Sequence, residues 1–178
     1  MNKIFLLILF IIVMSTSVVY SQTLMDYVDE VRGDTLVVKD YWDMNEANSL
    51  YQVITLDVDN VPEGRVYMLK TSGYYPLVNN PVTLRPTVIV GQDHTIMVNN
   101  NNAASFPPLI CGYAWSGGSN NGNMSALHDL TLKSVNCIPG TAAEGLGWSM
   151  YKANADEVKI TFDNCLFERT RWVFTHTN

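Results

Sequence analysis

Alternating apolar and polar residues mark two short segments as half-buried β-strands. The segments DLTLK and KITFD lie thirty residues apart, and both repeat with a period of two. Such alternation is typical of strands that bury one face. Aligned without a gap, the segments place Leu130 over Ile160 and Leu132 over Phe162. The pattern therefore predicts two neighbouring strands in one register.

The polar positions of the two segments match as well. The pairs are Asp129 with Lys159, Thr131 with Thr161, and Lys133 with Asp163. Opposite charges and paired threonines on adjacent strands stabilise a sheet by roughly 0.2–1 kcal/mol each. Thr87–Gly91 is an earlier copy in the same phase, and Ser134 and Asn164 follow the two later copies at the same offset. Short strands that recur in this way indicate stacked parallel coils, a β-solenoid, with polar side chains stacked at a turn.

The N-terminal residues have the composition of a secretory signal peptide. Lys3 precedes an apolar run from Ile4 to Met14, and a stretch of small and polar residues ends at Ser21. We expect cleavage after Ser21 and a protein that is secreted or held at the cell surface. The alternative is a membrane anchor, although a span requires about 20 apolar residues. We predict no membrane span after the signal is removed.

The rest of the chain divides into a cap at 22–60 and coils at 61–178. In the cap we predict a strand at Asp34–Lys39, a short helix capped by Asp43 or Asn45, and a second strand at Val53–Val58. In the coils we predict a strand at 65–70, a break at 73–76, projecting loops at 92–106 and 116–123, a return to the core at 107–111, and an excursion at 139–154.

Composition narrows the range of partners. The formal net charge is −6, and loss of residues 1–21 removes Lys3 and no acidic residue, which leaves a charge near −7. An acidic chain is a poor ligand for nucleic acid. The three cysteines, Cys111, Cys137 and Cys165, form no metal-binding spacing. Buried free thiols and a single disulfide, for example Cys137–Cys165, both fit the pattern.

Five segments together resemble pectate-lyase-like right-handed parallel β-helix proteins secreted by bacteria of the Bacteroidetes type. They are 64–70, 73–77, 88–91, 129–133 and 160–167. The resemblance implies an all-β, single-stranded parallel β-helix with an N-terminal cap. The sequence ends after a strand-like run at Val173–Asn178 with no closing cap. We therefore expect the helix to continue in a longer protein, or else to be capped by a partner.

The resemblance also implies action on polysaccharides. Lyases of this fold hold calcium against a uronate with acidic residues and use Arg or Lys as the base. Arg169 and Arg171 are the candidate catalytic residues, and solvated surface arginines are the alternative. Asp57 and Asp59 could supply oxygen ligands to calcium, although two carboxylates at this spacing are common by chance and a polar strand end explains them better. We predict no other metal site, and no Gly-x-Ser-x-Gly segment supports a serine nucleophile.

Aromatic residues are the candidates for carbohydrate binding. Tyr74, Tyr75, Trp115 and Trp148 are predicted to lie in or beside loops, where flat rings can stack on sugars. Two functions follow: a secreted protein that binds or degrades polysaccharide, such as a lyase or hydrolase acting on an acidic glycan, or a non-catalytic surface or adhesion scaffold. The sequence leaves the choice between enzyme and scaffold open.

Overall fold

The computed structural model describes residues 22–78, 81–92, 107–112, 124–138, 147–168 and 170–176. A 3₁₀ turn at Leu24–Tyr27 precedes two α-helices, α1 (Tyr41–Met44) and α2 (Ser49–Leu56). The strands are β1 (Val28–Arg32), β2 (Thr35–Val38), β3 (Val66–Leu69), β4 (Tyr74–Leu77), β5 (Val82–Thr83), β6 (Thr87–Gly91), β7 (Leu109–Gly112), β8 (Met124–Ala126), β9 (Leu130–Lys133), β10 (Asn136–Ile138), β11 (Gly147–Ala153), β12 (Ile160–Asp163), β13 (Leu166–Phe167) and β14 (Thr170–His176).

The described strands form three sheets that follow one repeating order. The first sheet is β1-β2-β3-β6-β9-β12, the second is β4-β7-β10-β13, and the third is β5-β8-β11-β14. From β3 onward, each run of three consecutive strands gives one strand to each sheet. Neighbours pair in parallel, except in the antiparallel hairpin β1–β2. The prediction of an all-β fold with parallel strands is confirmed.

The first sheet has the predicted register. Leu130 pairs with Ile160 and Leu132 with Phe162. Ile89 pairs with Leu132, so the copy at β6 has the same phase. Leu130 and Leu132 are fully buried, whereas their outward neighbour Lys133 is exposed. The alternation of apolar and polar residues therefore correctly predicted which face of this sheet packs on the core.

The turn between the first and second sheets confirms the predicted stacking of Ser134 and Asn164. Both residues adopt the left-handed conformation, with φ of 54° and 53°. The Asn164 side-chain amide donates to the Ser134 hydroxyl at 3.3 Å. Asparagine tolerates this backbone region better than most residues, and the hydrogen bond joins one turn to the next.

Residues 53–58 do not form the predicted strand, because they belong largely to helix α2. Leu50, Val53 and Ile54 share one buried face at the spacing of a helix. The helix N-cap prediction was also wrong, because α1 begins after Asp40 and α2 begins after Asn48. The Asp40 carboxylate accepts from the Asp43 N–H at 3.0 Å, and the Asp43 carboxylate accepts from the Asp40 N–H at 3.1 Å.

Two predicted interruptions are strands in the structure. All but Gly73 of the break at 73–76 lies in β4, where Pro76 is tolerated because β4 is at the edge of its sheet. The excursion predicted at 139–154 gives way at Gly147 to β11, which buries Tyr151 completely. The predicted return at 107–111 is confirmed, because Ile110 of β7 is fully buried.

The interior is a continuous apolar core between the three sheets, with α2 packed against it. Its largest fully buried side chains are Tyr27, Tyr67, Tyr75, Tyr151, Leu50, Leu69, Leu77, Ile89, Ile110, Met124, Leu130 and Leu132. The three cysteines are free thiols. Cys137 is buried in this core with its sulfur 3.2 Å from the Tyr151 hydroxyl, and burial raises the pKa of the thiol.

Candidate sugar-binding groove

A groove lies on the outward face of the second sheet. Tyr74 of β4, Leu109 of β7 and Asn136 of β10 stand side by side on three adjacent strands. Their sequence neighbours Tyr75, Ile110 and Cys137 are buried, so the alternate positions face out. The groove has a volume of about 420 Å³ and is lined by Trp42, Ser72, Gly73, Tyr74, Pro107, Leu109, Asn136, Ile138 and Glu168.

Two aromatic rings form the wall at one end of this groove. Trp42 of α1 is 71% exposed, and its ring centroid lies 6.2 Å from that of Tyr74 with an angle of 35° between the planes. Tyr41 packs edge-on against both rings, at 5.2 Å from Trp42 and 5.8 Å from Tyr74. An exposed tryptophan that packs against other rings offers a flat apolar surface to a ligand. Its side chain loses little conformational entropy on binding, because the packing already restrains it.

Helix α1 holds Trp42 in place through polar contacts. The reciprocal hydrogen bonds of Asp40 and Asp43 fix its first turn. The Lys70 ammonium lies 2.8 Å from the Asp43 carboxylate and 3.4 Å from that of Asp29. Burial raises the pKa of Asp43, but the hydrogen bond from Lys70 and that from the Asp40 N–H outweigh burial and hold this pKa below its ordinary value. The short helix is thus tied to the residue that follows β3.

Polar groups stand at the other end of the groove. The side-chain oxygen of Asn136 is buried and has no hydrogen-bond partner among the described residues. Glu168 follows β13, is exposed, and makes no ion pair with a described residue. The groove therefore combines an apolar floor and aromatic wall with a polar end, which is the usual make-up of a small-molecule site.

Tyr74 is the one predicted sugar-binding residue whose side chain is described at this groove. The prediction for Tyr75 was wrong, because its ring is fully buried. The Tyr75 hydroxyl donates to the Val38 carbonyl at 2.9 Å and accepts from the Lys70 N–H at 2.8 Å. Burial raises the pKa of this phenol, which acts as a structural link between strands. Trp115 lies outside the described residues.

The backbone brings two other predicted residues to neighbouring positions on the third sheet. Gly147 pairs with Thr170 and Ser149 with Trp172, so Trp148 and Arg171 lie between these pairs. Their side chains are outside the described part of the structure, and Arg169 lies outside it altogether. The catalytic role suggested for the two arginines remains a prediction.

The carboxylate of Asp57 is already occupied by side chains of this protein. It lies 2.9 Å from Arg65 and 3.5 Å from Arg85, and it accepts a hydrogen bond from the Tyr67 hydroxyl at 3.0 Å. Burial, followed by the charge of Asp57, raises the pKa of Tyr67. Asp57 thus joins the end of α2 to the strands, which makes it a poor calcium ligand in this arrangement.

The described residues contain no group of three or more His, Cys, Asp or Glu side chains that could hold a metal ion. Within the same residues, no helix is long and apolar enough to cross a membrane. No protein-family model matches the chain, and neither a curated protein nor a solved structure matches it.

Sequence reasoning missed Trp42, Asn136 and Glu168. Trp42 carries a usable signal, because a tryptophan in the first turn after the Asp40 cap has few apolar neighbours in sequence to bury it. The other two residues carry none, since Asn136 and Glu168 join the groove only through the pairing of β10 with β7 and β13.

Proposed function

We propose that this protein is an exported polysaccharide-binding protein, built as a right-handed parallel β-helix with an N-terminal cap at 22–60. The repeating assignment of consecutive strands to three parallel sheets supports a solenoid, because a chain that winds around a core produces that order. The basic start and apolar run of residues 1–21, which lie outside the described residues, support export.

One observation carries the binding proposal: the exposed Trp42 ring and the Tyr74 ring stand beside an apolar groove that crosses several strands. Pyranose rings present flat C–H faces that pack on aromatic rings, while their hydroxyls bind polar groups at the edges. The groove offers both features within one surface. A glycan chain is therefore the ligand that its chemistry favours.

Degradation of the polysaccharide is a further candidate activity, and it would depend on residues other than Trp42 and Tyr74. A lyase acting on an acidic glycan would use Arg169 and Arg171, with calcium as the candidate cofactor. A glycoside hydrolase generally needs a pair of carboxylates about 5–10 Å apart. Among the described lining residues of the groove, Glu168 alone is a carboxylate. This composition favours the alternative function, a non-catalytic surface or adhesion scaffold that binds glycan at the groove.

The test is a panel of neutral and acidic polysaccharides, each cast into a native gel through which the full chain migrates. We expect retardation by at least one polysaccharide, and loss of that retardation in Trp42→Ala. Leu84→Ala is the matched control, because Leu84 is 60% exposed and lies outside the groove. Equal migration of wild type and Trp42→Ala in every gel would contradict the proposal. Absorbance from unsaturated uronates, measured with and without calcium, separates lyase from scaffold.

A further inference from the structure

We infer that the groove on the second sheet selects an extended, uncharged glycan and discriminates against uronates. This inference rests on the proposed polysaccharide binding and names the class of ligand. It follows from three features: the run of the groove across the strands, the Asn136 side-chain oxygen that has no partner among the described residues, and the exposed carboxylate of Glu168.

The direction of the groove sets the shape of the ligand. Tyr74, Leu109 and Asn136 occupy three adjacent strands, and β13 is the next strand in the sheet. Adjacent strands are about 4.8 Å apart, so the path from β4 to β13 covers about 14 Å. Trp42 extends that path beyond β4. A single sugar ring would fill a fraction of this length, whereas an oligosaccharide lying across the strands would contact both ends.

Asn136 supplies a group suited to hydroxyls. Its side-chain oxygen is buried without a partner among the described residues, which leaves that acceptor unsatisfied. A primary amide has both donors and an acceptor, and a sugar hydroxyl can serve as donor or acceptor in turn. Rotation of the amide about its last bond exchanges the two ends. The end of the amide that lines the groove can therefore donate to a hydroxyl group of a bound glycan or, after this rotation, accept from one.

Glu168 supplies the discrimination against acidic ligands. The carboxylate is exposed at one end of the groove and has no cationic partner among the described residues. Lys70, which follows β3, is held by Asp43 and Asp29. A uronate in the groove would therefore place its carboxylate in a negative field, and like charges brought together oppose binding. Neutral sugars meet no such penalty.

The experiment is calorimetric titration of the full chain with neutral hexasaccharides (of glucose, xylose and mannose) and with galacturonate and mannuronate hexasaccharides. We expect at least one neutral hexasaccharide to bind about tenfold more tightly than any uronate at low salt. Glu168→Gln should narrow this difference in affinity several-fold by improving uronate binding. Glu63→Gln is the matched control, because Glu63 is exposed and lies outside the groove. A disaccharide of the preferred sugar should bind at least tenfold more weakly.

The outcomes separate this inference from the proposed function. Tighter binding of a uronate, with loss of that binding in Trp42→Ala, would overturn the inference and leave polysaccharide binding standing. Equal affinity for the disaccharide and the hexasaccharide would overturn the inference that the groove binds an extended glycan. Absence of binding to every probe would overturn both proposals. If Glu168→Gln left the difference in affinity between neutral and uronate hexasaccharides unchanged, Glu168 would not be its cause, and the inference would be contradicted.

Discussion

The carboxylate of Asp129 accepts a hydrogen bond from the backbone N–H of Lys159 at 2.9 Å. The sequence pattern predicted instead an ion pair with the Lys159 ammonium, and no such pair occurs among the described residues. In return the Lys159 carbonyl accepts from the Leu130 N–H at 3.0 Å. The Asp129 side chain thus extends the backbone ladder between β9 and β12 by one step.

Because this contact is a hydrogen bond to the backbone, another acceptor at position 129 should keep part of the stability. Exchanging the charges of Asp129 and Lys159 should not. Asp129→Ala should lower the free energy of unfolding by about 1 kcal/mol, because the Lys159 N–H loses its partner. Asp129→Asn should lower the free energy of unfolding by less, because the Asn side-chain oxygen can still accept this hydrogen bond. In urea denaturation, Lys159→Asp should fail to restore the stability lost in Asp129→Lys. Restoration by that second change would show that an ion pair joins the two residues after all.

The burial of Leu132 gives the strongest expected effect on folding. Leu132→Asp would place an unpaired carboxylate in the core, where no described side chain neutralises it, and should unfold the domain. Leu132→Ala should lower the free energy of unfolding by about 2–5 kcal/mol. Thr131→Asp is the control on the outward face of the same strand. Circular dichroism melting measures all three, and equal melting temperatures for Leu132→Asp and Thr131→Asp would refute the assigned faces.

Gly91 is required by the close approach of two strand ends. A Cβ at this position would lie 2.1 Å from the Ser134 carbonyl oxygen and 3.0 Å from Pro108 Cδ. Backbone and a proline ring cannot move aside cheaply, so Gly91→Ala should destabilise the protein by about 1–3 kcal/mol. Gly64→Ala is the control, because its Cβ would have its nearest neighbour at an ordinary 3.7 Å. Similar chemical denaturation curves for the two variants would contradict this packing.

The ion pair of Asp43 and Lys70 predicts a dependence of stability on pH. The pKa of Asp43 is lowered in the folded protein, so the unfolded chain takes up the proton first as the pH falls. The stabilisation is therefore complete above about pH 4 and is lost as the pH falls through the folded value. Because both side chains are partly exposed, we expect at most about 1 kcal/mol.

The measurement for this pair is the free energy of unfolding of wild type and Asp43→Asn from pH 7 to pH 2. Wild type should be the more stable at pH 7, and the difference should shrink at acid pH. Asp163→Asn is a matched control, because Asp163 is 62% exposed and lies 3.8 Å from Lys133. A difference that stays constant over the whole range would exclude the ionised Asp43 as its source.

The sequence predicted the first sheet well because its strands alternate cleanly. Leu130, Leu132, Ile160 and Phe162 mark one face without any knowledge of the partner strands. The second and third sheets were harder to predict, because strands such as β8 and β13 have only three and two residues. A segment that short carries no periodicity, and its conformation is decided by pairing with parallel neighbours.

The groove was predictable only in part. Tyr74 was singled out as an aromatic beside a supposed loop, and Tyr75 was grouped with it, yet β4 sends adjacent residues to opposite faces. The position of Trp42 depends on how α1 folds onto β4, which involves the Asp43–Lys70 contact between residues far apart in sequence. Local patterns therefore identified the residue types that bind sugars but not the surface that gathers them.

The most direct test of the central claim is the dissociation constant of the preferred oligosaccharide for wild type, Trp42→Phe and Trp42→Ala, measured by calorimetry. If the Trp42 ring forms the wall of a glycan site, Trp42→Ala should weaken binding by about five- to tenfold, since stacking on an exposed aromatic ring is worth on the order of 1–1.5 kcal/mol. The dissociation constant of Trp42→Phe, which keeps an aromatic ring, should lie between those of wild type and Trp42→Ala. Equal dissociation constants for all three proteins would show that the glycan binds elsewhere.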